Sequence, residues 1–257
     1  MRDTDKYNAP ALEKGLDILE LLSEQDHGLT QVEIARQLNR SVSEIYRMLV
    51  VLRRRRLVDV DPDSDRHYLT TRLFEMANRT PIIARLTVEA APVMRDLAYA
   101  IDESVHLTVQ SDDLLLVIAQ VDNPGYNVLK IRLGARVPIW ETSSGRALMA
   151  FQSDARIAEF LAAYPPPPPV EAARLLKDLA TVRKRGYEQM RSYVIKGVVN
   201  VSAPVIGHDG FAVAAMTIPY IERYSGGVPI DECRRKLIEA ARTLSRAIGG
   251  GVAATVP

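Results

Sequence analysis

Thr30-Gln31-Val32-Glu33, Ser41-Val42-Ser43-Glu44, Arg53-Arg54-Arg55-Arg56 and Asp61-Pro62-Asp63-Ser64-Asp65 follow one another closely in the chain. The first two share one form, a hydroxyl residue followed three positions later by glutamate. Such a pair caps a helix reciprocally: the hydroxyl accepts from a backbone N–H of the first turn, and the glutamate reaches back to the N–H of the capping residue. The first box opens a short helix with Ile34, Ala35 and Leu38 on its core side. After Asn39 and Arg40, the second opens a helix that buries Ile45, Met48, Leu49 and Leu52 and runs into the arginines. Cations there complement the negative end of the helix dipole. The acidic segment around Pro62 is turn chemistry between two short strands, 57–60 and 68–70.

Upstream, residues 10–24 place Leu12, Leu16, Leu19 and Leu22 at helical spacing, with Ile18 and Leu21 widening the stripe, and Gly28 breaks the pattern. The order is helix, helix, turn, helix, hairpin, which is the order of a winged helix-turn-helix. In that arrangement the second helix of the pair enters the major groove of DNA. Off its buried stripe stand Ser41, Ser43, Glu44, Tyr46 and Arg47. Arginine pairs bidentately with guanine, and hydroxyls at the helix start suit phosphates. Arg53 and Arg54 are candidates for the backbone, and Arg66 and His67, at the base of the wing, for the flanking groove or phosphates. The whole chain carries a net charge of only +1, from 33 basic and 32 acidic residues. Within 40–56, however, six arginines face the single acid Glu44, a net of +5 in seventeen residues, so a nucleic-acid argument rests on that patch. The alternatives are a solvated face, or a contact for a protein or an anionic membrane.

Length and composition bound the rest. The chain has 257 residues, 47% hydrophobic and 25% charged, enough for one large domain or two smaller ones. One cysteine, Cys233, excludes a disulfide framework and a cysteine-based metal site. The start is polar, and the longest aliphatic run, 114–119, is six residues, far short of the roughly 20 that cross a bilayer. A soluble cytoplasmic protein without a membrane partner is the expectation.

Helical patterning resumes near Leu73, with breaks expected around Thr80-Pro81 and near Pro92, and a helix ending near Ile101. Strands then dominate: 105–110 and 129–133 alternate with period two, 114–121 is apolar, and 198–206 and 211–218 are joined by the hairpin turn Gly207-His208-Asp209-Gly210. Helices are expected at 143–151, 154–163, 171–186 and 231–248, with a stiff spacer at the five prolines 165–169. This pattern predicts an α+β domain with a mostly antiparallel sheet. Thr142-Ser143-Ser144-Gly145-Arg146 precedes a helix. A small-residue helix N-terminus offers free N–H groups and the positive end of the dipole to a carboxylate, with Gly145 allowing close approach of a ligand. From the residues alone, ordinary N-capping is the simpler account.

The chain resembles the IclR (isocitrate-lyase-regulator) family of bacterial transcription regulators. The resemblance lies in 11–19, Leu29-Thr30 with Ile34-Ala35, and Ser41 with Tyr46-Arg47-Met48-Leu49 and Leu52. It continues through 103–107, 132–138, 142–150 and 202–205. It implies three parts: a winged helix-turn-helix domain (1–72), a linker helix (73–92) acting as hinge, and a GAF-like effector and oligomerisation domain (93–250). It also implies homodimers or tetramers on pseudo-palindromic double-stranded operators, with a small organic acid or aromatic effector and no cofactor. The effector site it implies draws on Ser143, Ser144, Gly145 and Arg146, with Asn200, Ser202 and Thr217 from the opposite wall and Leu129, Trp140, Met149 and Met216 as apolar lining. Asn200 and Pro219 stand where many members have cysteine and serine, which points away from glyoxylate or pyruvate.

An enzyme is the weaker reading. His106 alternates onto the polar side of its strand behind Asp102 and Glu103, where a structural histidine is the ordinary finding. His27, His67 and His208 show no ligand spacing. The sequence has no nucleophile elbow, P-loop or dinucleotide fingerprint.

Overall fold

The computed structural model describes residues 9–78, 81–125, 128–168, 170–223 and 227–251. The chain divides into two units, Met1–Ala84 and Arg85–Pro257.

In the first unit, α1 (Pro10–Ser23) is followed by β1 (Leu29–Thr30), α2 (Gln31–Gln37), α3 (Val42–Arg54), β2 (Val58–Val60), β3 (Arg66–Leu69) and α4 (Arg72–Asn78). Both capping boxes form in full, at Thr30 with Glu33 and at Ser41 with Glu44. The core gathers Ile18, Leu22, Leu29, Ile34, Ala35, Ile45, Leu49, Leu52 and Val58. Leu38 and Met48 pack at its edge, partly buried. The stripe on α1 is centred differently from the leucine spacing: Ile18 and Leu22 are buried, while Leu12 and Leu16 are 63% and 49% exposed. The hairpin gains a third strand, in the order β1-β3-β2, all antiparallel. β1 is two residues long, too short for a periodic signal. It is held against β3 at Gly28, whose φ is +65° and where a Cβ would stand 2.5 Å from the His67 carbonyl oxygen.

The boundary falls within α5 (Pro81–Ile101), and the second unit continues with β4 (Val105–Ser111), β5 (Leu114–Val121), β6 (Arg136–Pro138), α6 (Ser143–Ala150), α7 (Asp154–Ala163), α8 (Ala172–Arg185), β7 (Glu188–Arg191), β8 (Val198–Ile206), β9 (Ala212–Ile221) and α9 (Ile230–Ala247). Six strands form one antiparallel sheet in the order β6-β5-β4-β9-β8-β7. α6 packs on β7, β8 and β9, and α9 on β8 and β9. Seven of the ten residues of β9, on both faces, are buried, so the two faces are not told apart by polarity.

Two expectations are corrected here. α5 runs unbroken through Pro92. A proline removes the hydrogen bond to the carbonyl four residues earlier, here that of Val88, a residue 70% exposed. The other expected break is at residues 79–80, outside the described residues; Pro81 is the first residue of α5, where a proline costs no hydrogen bond. Residues 129–133 form no strand: the chain turns at Arg132–Ala135 and joins β5 only from Gly134 onward.

Gly28→Ala is expected to lower the unfolding free energy by at least about 2 kcal/mol, through both a left-handed backbone and a backbone clash. Gly134→Ala, at φ +81° but facing open space, costs about 1 kcal/mol. Urea denaturation followed by circular dichroism compares the two, and equal losses contradict the packing role given to Gly28.

Candidate functional site

The first candidate surface is the outward face of α3. Its start is closed by its own residues: the Glu44 carboxylate bonds the Ser41 N–H at 3.1 Å and hydroxyl at 2.7 Å, and its other oxygen takes Lys14. Those partners hold the Glu44 carboxyl at about 2. Ser41 and Glu44 therefore set where the helix begins, and Lys14 ties that start to α1. Ser43, Tyr46 and Arg47 are exposed, Tyr46 by 58%. At the other end of α3, Arg53, Arg54, Arg55 and Arg56 line a cleft of about 640 Å³ with Thr70 and Thr71 and with the acids Asp59 and Glu75. Four exposed guanidinium-bearing residues beside two hydroxyl-bearing ones suit phosphate oxygens.

His67 does not face outward, which corrects the expectation for it at the wing base, whereas Arg66 keeps 38% of its side chain exposed. β3 is the middle strand, so its residues are fixed from both sides. Arg66 pairs with Glu33 at 3.1 Å and donates to the Gly28 carbonyl at 2.9 Å. His67 is buried, and desolvation, followed by the nearby Arg53 charge, lowers its pKa. The two residues bind the hairpin to the helix pair.

The second candidate lies where α6 meets the sheet. Ser143 Oγ and Ser202 Oγ are 2.7 Å apart, and Ser202 Oγ and Thr217 Oγ1 also 2.7 Å apart, so three buried hydroxyls form a chain from helix to sheet. Ser144 is buried beside them, and Asn200, two residues from Ser202 on the same face of β8, is half-buried. Three sequence-based roles change. Gly145 makes room for backbone rather than ligand: a Cβ there would lie 1.9 Å from the Ile139 carbonyl oxygen. Arg146 is already committed, to the Trp140 carbonyl at 2.9 Å and to Asp178 at 3.3 Å. Met216 sits next to Thr217 in β9 and therefore points to the opposite face of the sheet, level with Leu107 and Ala203. Trp140 and Met149 belong to the core under α6, where the indole donates to the Tyr164 carbonyl and packs edge-on against Phe160. Leu129 is half-buried in the loop before β6.

Sequence reasoning did not place two polar residues, Glu188 and His106, beside this hydroxyl chain. Glu188, on the short edge strand β7, is paired in register with Ser202; burial raises its pKa although Arg185 contacts it. His106, on β4, is paired with Thr217. It is 2% exposed rather than on a polar side, and burial alone pushes its pKa down to about 4. A separate cavity of about 580 Å³ is lined by Lys184, Arg242, Arg246, Pro204, Ile206 and Ile238, away from the hydroxyl chain.

A family profile described as the IclR helix-turn-helix domain matches residues 11–62, and one described as the bacterial transcriptional regulator IclR C-terminal domain matches residues 78–246. The chain belongs to the IclR family. It is similar to the regulator KdgR of Escherichia coli (26% identity over 256 residues, 96% of each chain) and to XynR of the same organism (23% identity over 244 residues, 93% of this chain and 97% of the relative). Among solved structures it is similar to Thermotoga maritima IclR (TM-score 0.74, 27% identity, covering 93% of this chain and 98% of that one). An IclR homolog from Microbacterium hydrocarbonoxydans, complexed with 4-hydroxybenzoate, shares the fold (TM-score 0.76, 21% identity, 93% and 98% covered). As an IclR-type transcription regulator the chain joins a DNA-binding helix-turn-helix to an effector domain, and it is not an enzyme. Cys233 is buried, with its thiol pushed up to about 11 by desolvation. No helix among the described residues is long and apolar enough to cross a membrane.

A histidine held neutral by burial contributes stability that is complete above its ordinary value of 6.5 and is lost as pH falls toward about 4. Wild type is therefore expected to lose more stability than His106→Phe between pH 6.5 and 4, measured by urea denaturation at each pH. Parallel curves for the two proteins contradict a buried neutral imidazole.

Proposed function

We propose that this regulator acts in the cytoplasm as a homodimer or tetramer, reading a pseudo-palindromic operator in double-stranded DNA through α3. A small carboxylate-bearing or aromatic metabolite, held between α6 and the sheet, changes its affinity for that operator. In this reading DNA is read by about 1–72, a helical segment connects in about 73–92 and the effector is bound in about 93–250. The observation that carries the DNA reading is the outward face of α3: the cap consumes Ser41 and Glu44, and Tyr46 and Arg47 stand exposed one turn further on. Arg47 then reads a base edge, and Ser43, Arg53 and Arg54 hold phosphates.

For the effector, support comes from the α6 start, where first-turn N–H groups and two hydroxyls meet a polar strand face. The Microbacterium homolog complexed with 4-hydroxybenzoate makes aromatic acids the first compounds to try. A ligand shifts operator binding only if it binds two arrangements of the oligomer with different affinity. Ser143, Ser144, Asn200, Ser202 and Thr217 are the residues expected to touch it.

Fluorescence anisotropy with operator DNA tests both halves. Arg47→Ala is expected to compress the difference between operator and mutated operator by roughly 1–3 kcal/mol. Arg54→Ala should weaken all sequences alike and lower the salt slope by about one. Ser144→Leu or Asn200→Leu should abolish the response to an active acid while leaving DNA affinity intact. Equal effects of the two arginine changes on every sequence would overturn the base-reading role. An unaltered ligand response in both pocket variants would move the effector site elsewhere.

A further inference from the structure

Four strands bring one polar residue each into a single row on the α6 face of the sheet. Directly opposed cross-strand residues project to the same side, and the register pairs Gln120 with His106, His106 with Thr217, and Thr217 with Ser202. The 2.7 Å contact of Ser202 with Ser143 fixes that side as the one facing α6. At the Ser202 end of the row each hydroxyl has a partner. At the other end two atoms have none: His106 Nδ1 and Gln120 Oε1 are both buried without a hydrogen-bond partner.

The orientation of Gln120 is set by its own amide. Nε2 donates to the Val121 carbonyl and to Asp122 Oδ1, each at 3.2 Å, so Oε1 is the atom turned away from them. Folded proteins leave few buried polar atoms unpaired, and two such atoms on adjacent strands of one face mark a place where a partner belongs. Their chemistry narrows what that partner is. An amide oxygen only accepts, so it needs a proton from the ligand. A neutral imidazole nitrogen donates or accepts according to its tautomer. A hydroxyl satisfies both atoms at once, whereas a carboxylate has no proton for Gln120 and an apolar group serves neither.

We infer that His106 Nδ1 and Gln120 Oε1 form the hydroxyl-recognising end of the effector site, so that the effector carries a hydroxyl in addition to its acid group. This rests on the reading of the α6 face as the effector site. The acid end lies at Ser143 and Ser202, two strand spacings from His106, or about 10 Å. A short acid with its hydroxyl remote from the carboxylate spans that distance; a 2-hydroxy acid, with the two groups adjacent, does not.

Calorimetric titration of the full-length protein with three matched pairs is the test: benzoate and 4-hydroxybenzoate, phenylacetate and 4-hydroxyphenylacetate, butyrate and 4-hydroxybutyrate. In at least one pair the hydroxylated acid is expected to bind more than about tenfold tighter, the scale of satisfying buried polar atoms. That preference should collapse toward one in His106→Phe and in Gln120→Leu, with the affinity for the unhydroxylated acid kept. Gln120→Leu covers the case in which the histidine variant folds poorly. Acids that bind with no preference for the hydroxyl, or with one that both variants retain, overturn this inference and leave the effector site standing; the two atoms then hold only a water. Failure of all six acids to bind overturns the effector-site reading and this inference together.

Discussion

The first turn of an α-helix leaves backbone N–H groups without carbonyl partners. In this chain the hydroxyls of Thr30, Ser41, Thr142 and Ser153 close those turns at α2, α3, α6 and α7. That one requirement settles what each candidate surface has to offer. At α3 the cap consumes Ser41 and Glu44, Lys14 ties the cap to α1, and the next outward turn presents Tyr46 and Arg47. At α6 the Thr142 hydroxyl bonds the Gly145 N–H and donates to the Pro138 carbonyl, while Gly145 lies flat against Ile139 and Arg146 holds the Trp140 carbonyl. The strand-to-helix loop is thereby folded onto the helix's own first turn, and Ser143 is turned to the sheet.

The electrostatic character of the molecule is local in the same way. A net charge of +1 gives no long-range preference for a polyanion. The arginines at the C-terminal end of α3 share a cleft with Thr70 and Thr71, whereas Arg66, Arg146 and Arg183 are engaged by carboxylates and carbonyls of their own unit. Counting arginines therefore overstates the binding surface, and the committed ones act as struts.

What the sequence made legible was what depends on near neighbours. Both capping boxes, the turn at Gly207–Gly210, and the helices 154–163 and 172–185 rest on residues within one turn of each other. Strand pairing beyond the hairpins depends on residues far apart, and there the reading was incomplete. β1 and β7 are too short to show a period, and the alternation of Leu129, Ile131 and Leu133 has no partner strand to pair with. The error at Met216 is of the same kind: apolar character suggested a pocket wall, but alternation along β9 sends it to the far face. The row from Gln120 to Ser202 exists only once four strands are in register, so no spacing in the sequence announces it. His67 misled because a wing was expected with two strands, and the third makes its strand the inner one.

The central claim, that the outward face of α3 reads operator DNA, is tested most directly by a nuclease footprint of the purified protein on the DNA flanking its own gene, at one fixed moderate salt concentration. Protection of two symmetric half-sites separated by about one helical turn or a multiple of it is expected, lost with Arg47→Ala at a concentration where wild type protects fully. Protection that is absent for wild type with and without the aromatic acids, or that is the same for wild type and Arg47→Ala, would contradict it.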